Sequence, residues 1–295
     1  MNFKTGKFLI ILLIAFAGCG TPKVTTSYRT IAEQAVAEGN YEAATENWRL
    51  FFEKEQMEED EINPAYYSEA GKMAFRANQA DLAIKWFDQA ATLNYSDPGM
   101  YLDMAEIYKQ KNNLTKELEA LEYYRTHYQD QPDIAGVNTR LFEIYASINQ
   151  REKAIELWPE MSLENKQDEN HLDAYFSMQK QLDNESEADS AAQALVAINP
   201  MHVEALKWLG TKYYHQAEDR YQREMKAYQK NKTHMQHLKL TQELKKVTAE
   251  FQQAAKYFKA LWEIDHDPKY ATYLVNIYTR FEDSKTADYY RKYLK

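Results

Sequence analysis

The chain has 295 residues with only 8 glycines and 7 prolines, 23 tyrosines and a single cysteine. Scarce helix breakers favour helix, the lone cysteine excludes an intramolecular disulfide, and a net charge of −9 argues against non-specific nucleic-acid binding. A mean hydropathy of −0.73 beside so many aromatics fits thin core layers under a wide polar surface.

Lys4 and Lys7 open the chain, and residues 8–16 (FLIILLIAF) form an apolar run the length of a signal-peptide core, too short to span a bilayer. Ala17 and Gly18 are small, and Cys19 comes next. This resembles the bacterial lipoprotein signal, with Phe16 where leucine is commonest. The resemblance implies that residues 1–18 are removed and that Cys19, acylated, becomes the mature N-terminus. Its acyl chains exceed the two signals that stable anchoring requires. The alternative is an ordinary signal peptide with an incidental cysteine. Gly20 in place of aspartate implies, by enterobacterial sorting, the outer membrane. Residues 19–26 are then the anchor and tether, reaching roughly 25 Å at full extension. The chain beyond residue 26 is expected to work close to the membrane, facing the periplasm.

Self-similarity begins at once. Gly39-Asn40-Tyr41-Glu42-Ala43-Ala44 runs on to Trp48 and Phe51. Tyr67, Ala70, Gly71 and Ala74 are followed by Ala83, Phe87 and Ala90, and Tyr101, Met104, Ala105 and Tyr108 by Leu114, Leu121 and Tyr124. Leu206, Leu209, Gly210 and Tyr213 repeat the first-helix pattern, and Gly71 lies 34 residues before Ala105. This resembles the tetratricopeptide repeat (TPR), in which small residues sit where two helices approach closely and aromatics fill the facing holes. A fourth repeat uses Leu141, Tyr145 and Ala154, with Pro159 cutting its second helix short. A fifth starts near Glu169 and closes at Asn199-Pro200, and a seventh uses Val275, Tyr278 and Ala287. The expected fold is therefore all-α, a TPR-type helical-hairpin solenoid of about seven repeats. Repeats 1–5 fill residues 27–202, the sixth 203–268, and a C-terminal helix pair 269–295.

The sixth repeat is about 32 residues too long, its second-helix alanine being Ala254. Tyr214, Ala217, Tyr221, Met225 and Tyr228 recur at helical steps, and Leu240, Leu244, Val247, Phe251, Ala254, Phe258 and Leu261 return. Two coiled-coil seams are expected, with Asn231-Lys232 between them and Thr233-x-x-Gln236 capping the return helix. An extension of ~16 residues per helix projects the hairpin by ~24 Å. Between residues 226 and 246, Lys226, Lys230, Lys232, Lys239, Lys245 and Lys246 face Glu243 alone. This basic tip is either a solvated helical face or a docking prong for an acidic protein, anionic lipid headgroups or anionic glycan. Tyr213-Tyr214, Asp267-Pro268 and residues 274–278 resemble TPR lipoproteins of Bacteroidetes-type bacteria, which implies an envelope setting.

No nucleophile elbow, phosphate loop, zinc helix or cysteine pair is present, so no enzyme activity, cofactor or metal is expected. His234 and His237 form a weak metal signal, and the acidic run from Glu58 to Glu61 reads as a solvated loop. The N-x-[ST] triplets at Asn94, Asn113, Asn184 and Asn231 carry almost no weight in a bacterial lipoprotein. By the resemblance, ligands contact the first helices on the concave face. Carried over, those positions are Lys72, Phe75 and Arg76, then Glu106, Lys109 and Gln110, then Lys207, Thr211, Tyr214 and His215. Lys72, Glu106, Ser177 and Thr211 stand where chaperone-binding members have asparagine, so chaperone tails are not the expected ligand. The expected role is a membrane-anchored scaffold binding an envelope protein or extended peptide, within assembly, secretion or export machinery. The alternative is a surface lipoprotein capturing glycan for an uptake system.

Overall fold

The computed structural model describes residues 27–58 and 61–294; the expected leader, Cys19, the expected tether to Thr26, and Glu59 and Asp60 of the acidic run lie outside them. The described residues are all-α, with no strand. The helices succeed one another along the chain as seven pairs. They are α1 (Tyr28–Ala37) and α2 (Tyr41–Met57), α3 (Pro64–Arg76) and α4 (Ala80–Thr92), and α5 (Pro98–Gln110) and α6 (Leu114–His127). Next come α7 (Ile134–Ser147) and α8 (Arg151–Leu157), a short α9 (Leu163–Lys166), then α10 (Glu169–Gln181) and α11 (Glu185–Ile198). The long α12 (Val203–Lys230) and α13 (His234–Asp265) precede α14 (Pro268–Arg280) and α15 (Ser284–Arg291). A 3-10 turn, Trp158–Glu160, takes over where Pro159 ends α8. The chain forms two compact units, up to Ile107 and from Tyr108, and the division falls inside α5.

Local chemistry fixes the ends. Asn63 and Asp267 cap α3 and α14 with a proline at the first helical position, and Asn40, Asn113, Asp168 and Asp283 cap α2, α6, α10 and α15. In six of the seven pairs one residue with left-handed φ sits directly before the second helix's N-cap: Gly39, Asn78, Asn112, Asn149, Asp183 and Glu282. Asparagine and aspartate tolerate this conformation better than most residues. The sixth pair has no such residue and turns through residues 231–233 instead, with the Thr233 hydroxyl accepting from the Gln236 N–H at 3.2 Å.

In the first unit an aromatic chain runs through the core, with Phe52 stacked on Tyr67 at 4.3 Å and Trp48 on Phe52 at 5.8 Å. Gly71 on α3 lies flat against the buried Phe87 ring of α4. The second unit buries Phe176, Leu195, Leu209, Phe251, Phe258, Leu261 and Trp262 together.

The α12–α13 hairpin is antiparallel and elongated, and its return helix buries Leu240, Val247, Phe251, Ala254, Phe258 and Leu261 as the seam predicts. On α12 the outcome differs near the tip: Glu224 is buried, and Met225 is only partly so. Glu224 lies seven residues after the buried Ala217, so it takes the inward position of the seven-residue repeat, which Met225 would break. Its carboxylate pairs with Lys239 of α13 at 3.3 Å and with Arg223 at 3.0 Å. Arg223 first, then Lys239, hold it below the usual carboxylate range against the opposing effect of burial. Nearer the stem, Arg220 bridges two carboxylates of α13, Glu243 at 2.9 Å and Glu250 at 2.8 Å.

Candidate functional site

The first-helix residues fall into two settings. In the first unit, Lys72 on α3 reaches Asp97 at 2.7 Å, and Asp97 also accepts from the Ser68 hydroxyl and from the Met100 N–H at 2.9 Å. Burial acts to raise the Asp97 pKa, but the Lys72, Ser68 and Met100 hydrogen bonds outweigh it and the net shift is downward. One turn into α5, Asp103 behaves the other way. Burial pushes it up to about 6, with Asp97 adding to the rise and the Lys72 and Arg76 charges opposing it. Arg76 lies over the Tyr41 ring at 5.5 Å, Phe75 is half-buried against the core, and Glu106 and Lys109 are exposed. Lys109 belongs to the second unit. Asp103 carried no sequence signal, because its shift comes foremost from burial, and the cations that oppose it, Lys72 and Arg76, lie about 30 positions earlier.

This shift makes the stability of the first unit pH-dependent. The folded pKa of Asp103 lies above its unfolded value, so ionising it opposes folding; the penalty is absent below about pH 4 and complete above about pH 6. Asp103→Asn is therefore expected to raise the unfolding midpoint of the first unit at pH 7 and to leave it nearly unchanged at pH 4. Thermal melts at the two pH values check this, and an equal gain at both would reject it.

In the second unit, α10, α11 and α12 enclose a cleft of about 530 Å³ that includes Lys180, Glu185, Asp189, Glu204, Lys207, Trp208, Lys212 and His215. Residues 204, 208, 211 and 215 rise on one face of α12 because steps of three and four return to the same side. Asp189 of α11 ties the floor together: it accepts from the Trp208 indole N–H at 2.8 Å and pairs with Lys212. Glu204 is shared by Lys207 at 2.8 Å and Lys180 at 3.4 Å, and its pKa is lowered, by Lys207 foremost. The mouth carries His215 and Asp219, both exposed. Charges of both signs beside one indole edge suit an extended peptide, whose backbone needs donors and acceptors and whose side chains need varied contacts.

Of the sequence-predicted residues in this unit, Lys207, Thr211 and His215 line the cleft. Tyr214 does not. Its ring meets Tyr273 at 4.8 Å and Phe251 at 5.7 Å, and its hydroxyl accepts from Asn276 at 3.3 Å. Trp208, Asp189 and Lys180 went unnamed at the sequence level; their pairing across helices joins residues 19 positions apart or more. At the hairpin tip, Lys239 and Lys246 are paired with Glu224 and Glu243. Lys226, Lys230, Lys232 and Lys245 are exposed and form no ion pair among the described residues. His234 and His237 are exposed, and among the described residues no group of three or more His, Cys, Asp or Glu could hold a metal ion.

No protein-family model and no curated protein sequence matches the chain. Solved structures similar to it include YrrB, described as a TPR protein with an unusual peptide-binding site: 12% identity, 61% of this chain, 89% of that one, TM-score 0.44. A putative protein-binding protein from Bacteroides ovatus is 19% identical over 75% of this chain and 99% of its own, with a TM-score of 0.43. A tetratricopeptide repeat protein from Parabacteroides merdae is 11% identical over 91% and 97% respectively, with a TM-score of 0.42.

Proposed function

We propose that this chain is a non-enzymatic scaffold that holds an extended segment of a partner protein in the α10–α11–α12 cleft, and that a lipid on Cys19 anchors it in a bacterial envelope. The observation that carries the binding reading is the cleft: about 530 Å³, open to solvent, with Lys207, Trp208 and His215 converging from one helix face. Specificity would come from Lys180, Lys207 and Lys212 alternating with Glu185, Asp189 and Glu204, so that a segment of the wrong charge order meets a like charge. The anchor reading rests on the apolar run followed by Ala17-Gly18-Cys19.

The test places a photo-crosslinking residue at His215 in the native host. One identified envelope protein should be captured through a single segment, and Lys207→Glu or Trp208→Ala should abolish capture. Capture that ignores both substitutions would overturn the cleft as the site. Titrating the protein and its Trp208→Phe variant with oligosaccharides while following tryptophan fluorescence separates the glycan alternative, since a saturable response to sugars but not to the crosslinked segment, lost in the variant, favours it. Labelling with an alkyne fatty acid tests the anchor, which requires incorporation that disappears in Cys19→Ser.

A further inference from the structure

We propose that the free end of the α12–α13 hairpin is a contact site for an anionic lipid surface. Lys226, Lys230 and Lys232 would meet headgroups, and Met235 and Leu238 would enter the acyl boundary. The inference rests neither on the cleft nor on the Cys19 anchor.

Three observations converge on this tip. The first is charge. Lys226 and Lys230 lie one turn apart at the end of α12, and Lys232 is in the turn. All three are exposed and unpaired among the described residues, in a chain whose net charge is −9. The hairpin's carboxylates are engaged elsewhere, Glu224 with Lys239 and Arg223, and Glu243 with Arg220 and Lys246. A basic end on an acidic body orients the molecule toward a negative surface, because the body is repelled from it.

The second observation is apolar exposure at the same end. Met235 is 73% exposed and Leu238 45% exposed. They lie three residues apart in the first turn and a half of α13, so they share a face. Neither contributes to the seam, which starts with Leu240. Lysines beside a thioether and an isobutyl group make an amphipathic tip, the arrangement by which peripheral helices engage a headgroup layer.

The third is shape. Arg280 of α14 pairs with Glu218 and lies over the Tyr221 ring at 4.5 Å, bracing the stem. Beyond Tyr221 α12 runs on for about nine residues, or ~13 Å. The Arg220 bridge to Glu243 and Glu250 stiffens the pair. A braced, narrow two-helix end suits a flat partner. Carboxylates alone would satisfy the lysines and leave Met235 and Leu238 in water, whereas a lipid surface covers both kinds of group.

The test uses the chain from residue 20, without the expected leader and anchor, carrying Met235→Cys as its single thiol with the environment-sensitive fluorophore NBD on it. On phosphatidylcholine vesicles containing phosphatidylglycerol the emission should shift to the blue and brighten, and on phosphatidylcholine alone it should not. Raised salt should reverse the response. A lysine near an anionic surface strengthens binding about fivefold, so the combined Lys226→Gln, Lys230→Gln and Lys232→Gln variant should need about 100-fold more lipid. The same label on Glu152→Cys, in the body, should stay silent. An absent response at position 235, an equal response on both lipids, or a matching response at position 152 would each overturn the proposal. So would a larger response to polyglutamate than to anionic vesicles, which would assign the tip to an acidic protein.

Discussion

Replacing Gly71 with alanine is expected to destabilise the first unit by about 2 kcal/mol, although alanine is the better helix former. In an ordinary helix interior the substitution gains about 1 kcal/mol. Here a Cβ at position 71 would stand 2.4 Å from Cε1 and 2.6 Å from Cδ1 of Phe87, whose ring is wholly buried. No rotamer takes that ring into solvent, so helices α3 and α4 must separate or the ring must tilt into its neighbours. Overpacking of this kind costs about 3 kcal/mol at its upper end. The double-mutant cycle with Phe87→Leu isolates the cause: the alanine should then be tolerated better by about 1–2 kcal/mol. Denaturant unfolding of the four proteins measures the coupling, and strict additivity would show that the contact is not responsible. Gly210 occupies the corresponding place in the sixth repeat, yet its Cβ would meet Phe258 Cε1 at 3.2 Å. A shift of a few tenths of an ångström suffices there, so Gly210→Ala should be close to neutral.

The pairing of helices was readable because small and large residues alternate at a fixed spacing, and because Gly71 and Gly210 mark close approaches. The long hairpin was readable for a related reason: no glycine or proline interrupts residues 211–230, and two apolar seams continue through them. The charge state of its tip was not. A count along the chain treats Lys239 and Lys246 as free, whereas the fold brings Glu224 against the first and Glu243 against the second. Following apolar residues along α12 placed Met225 inward, whereas the seven-residue spacing from Ala217 puts Glu224 there, its charge met by Lys239 and Arg223. In the candidate site the limit is one of sides. A repeat position names a helix face, but α12 is covered on one side by α13 and α14 and lines the cleft on another. Tyr214 and His215 are neighbours in sequence and point to different surroundings. The Lys72–Asp97 pair and the raised Asp103 pKa arise between helices, out of reach of any local pattern.

Phe258→Ala is expected to have the larger effect of the two substitutions, about 3–5 kcal/mol, within the second unit. Phe258 is 1% exposed and belongs to three helices at once. Its ring stacks on Tyr273 of α14 at 4.1 Å with an interplanar angle of 5°, meets the edge of Tyr214 of α12, and covers Gly210. Truncation leaves a cavity beside Tyr214, Tyr270, Tyr273 and Gly210. Tyr273 and Tyr214 contact each other at 4.8 Å, so losing the shared ring weakens that contact too. The joint between the sixth and seventh helix pairs should therefore open first. Hydrogen exchange should show lost protection in α14 and α15, while α11 keeps its link through Asp189 to Trp208 and Lys212. Unchanged exchange in α14 would mean the stack does not hold that joint. Because Tyr214 belongs to this joint, its replacement should reproduce the α14 phenotype rather than a loss of cleft binding, and Trp208→Ala should do the reverse. The two substitutions thus separate the packing side of α12 from its open side.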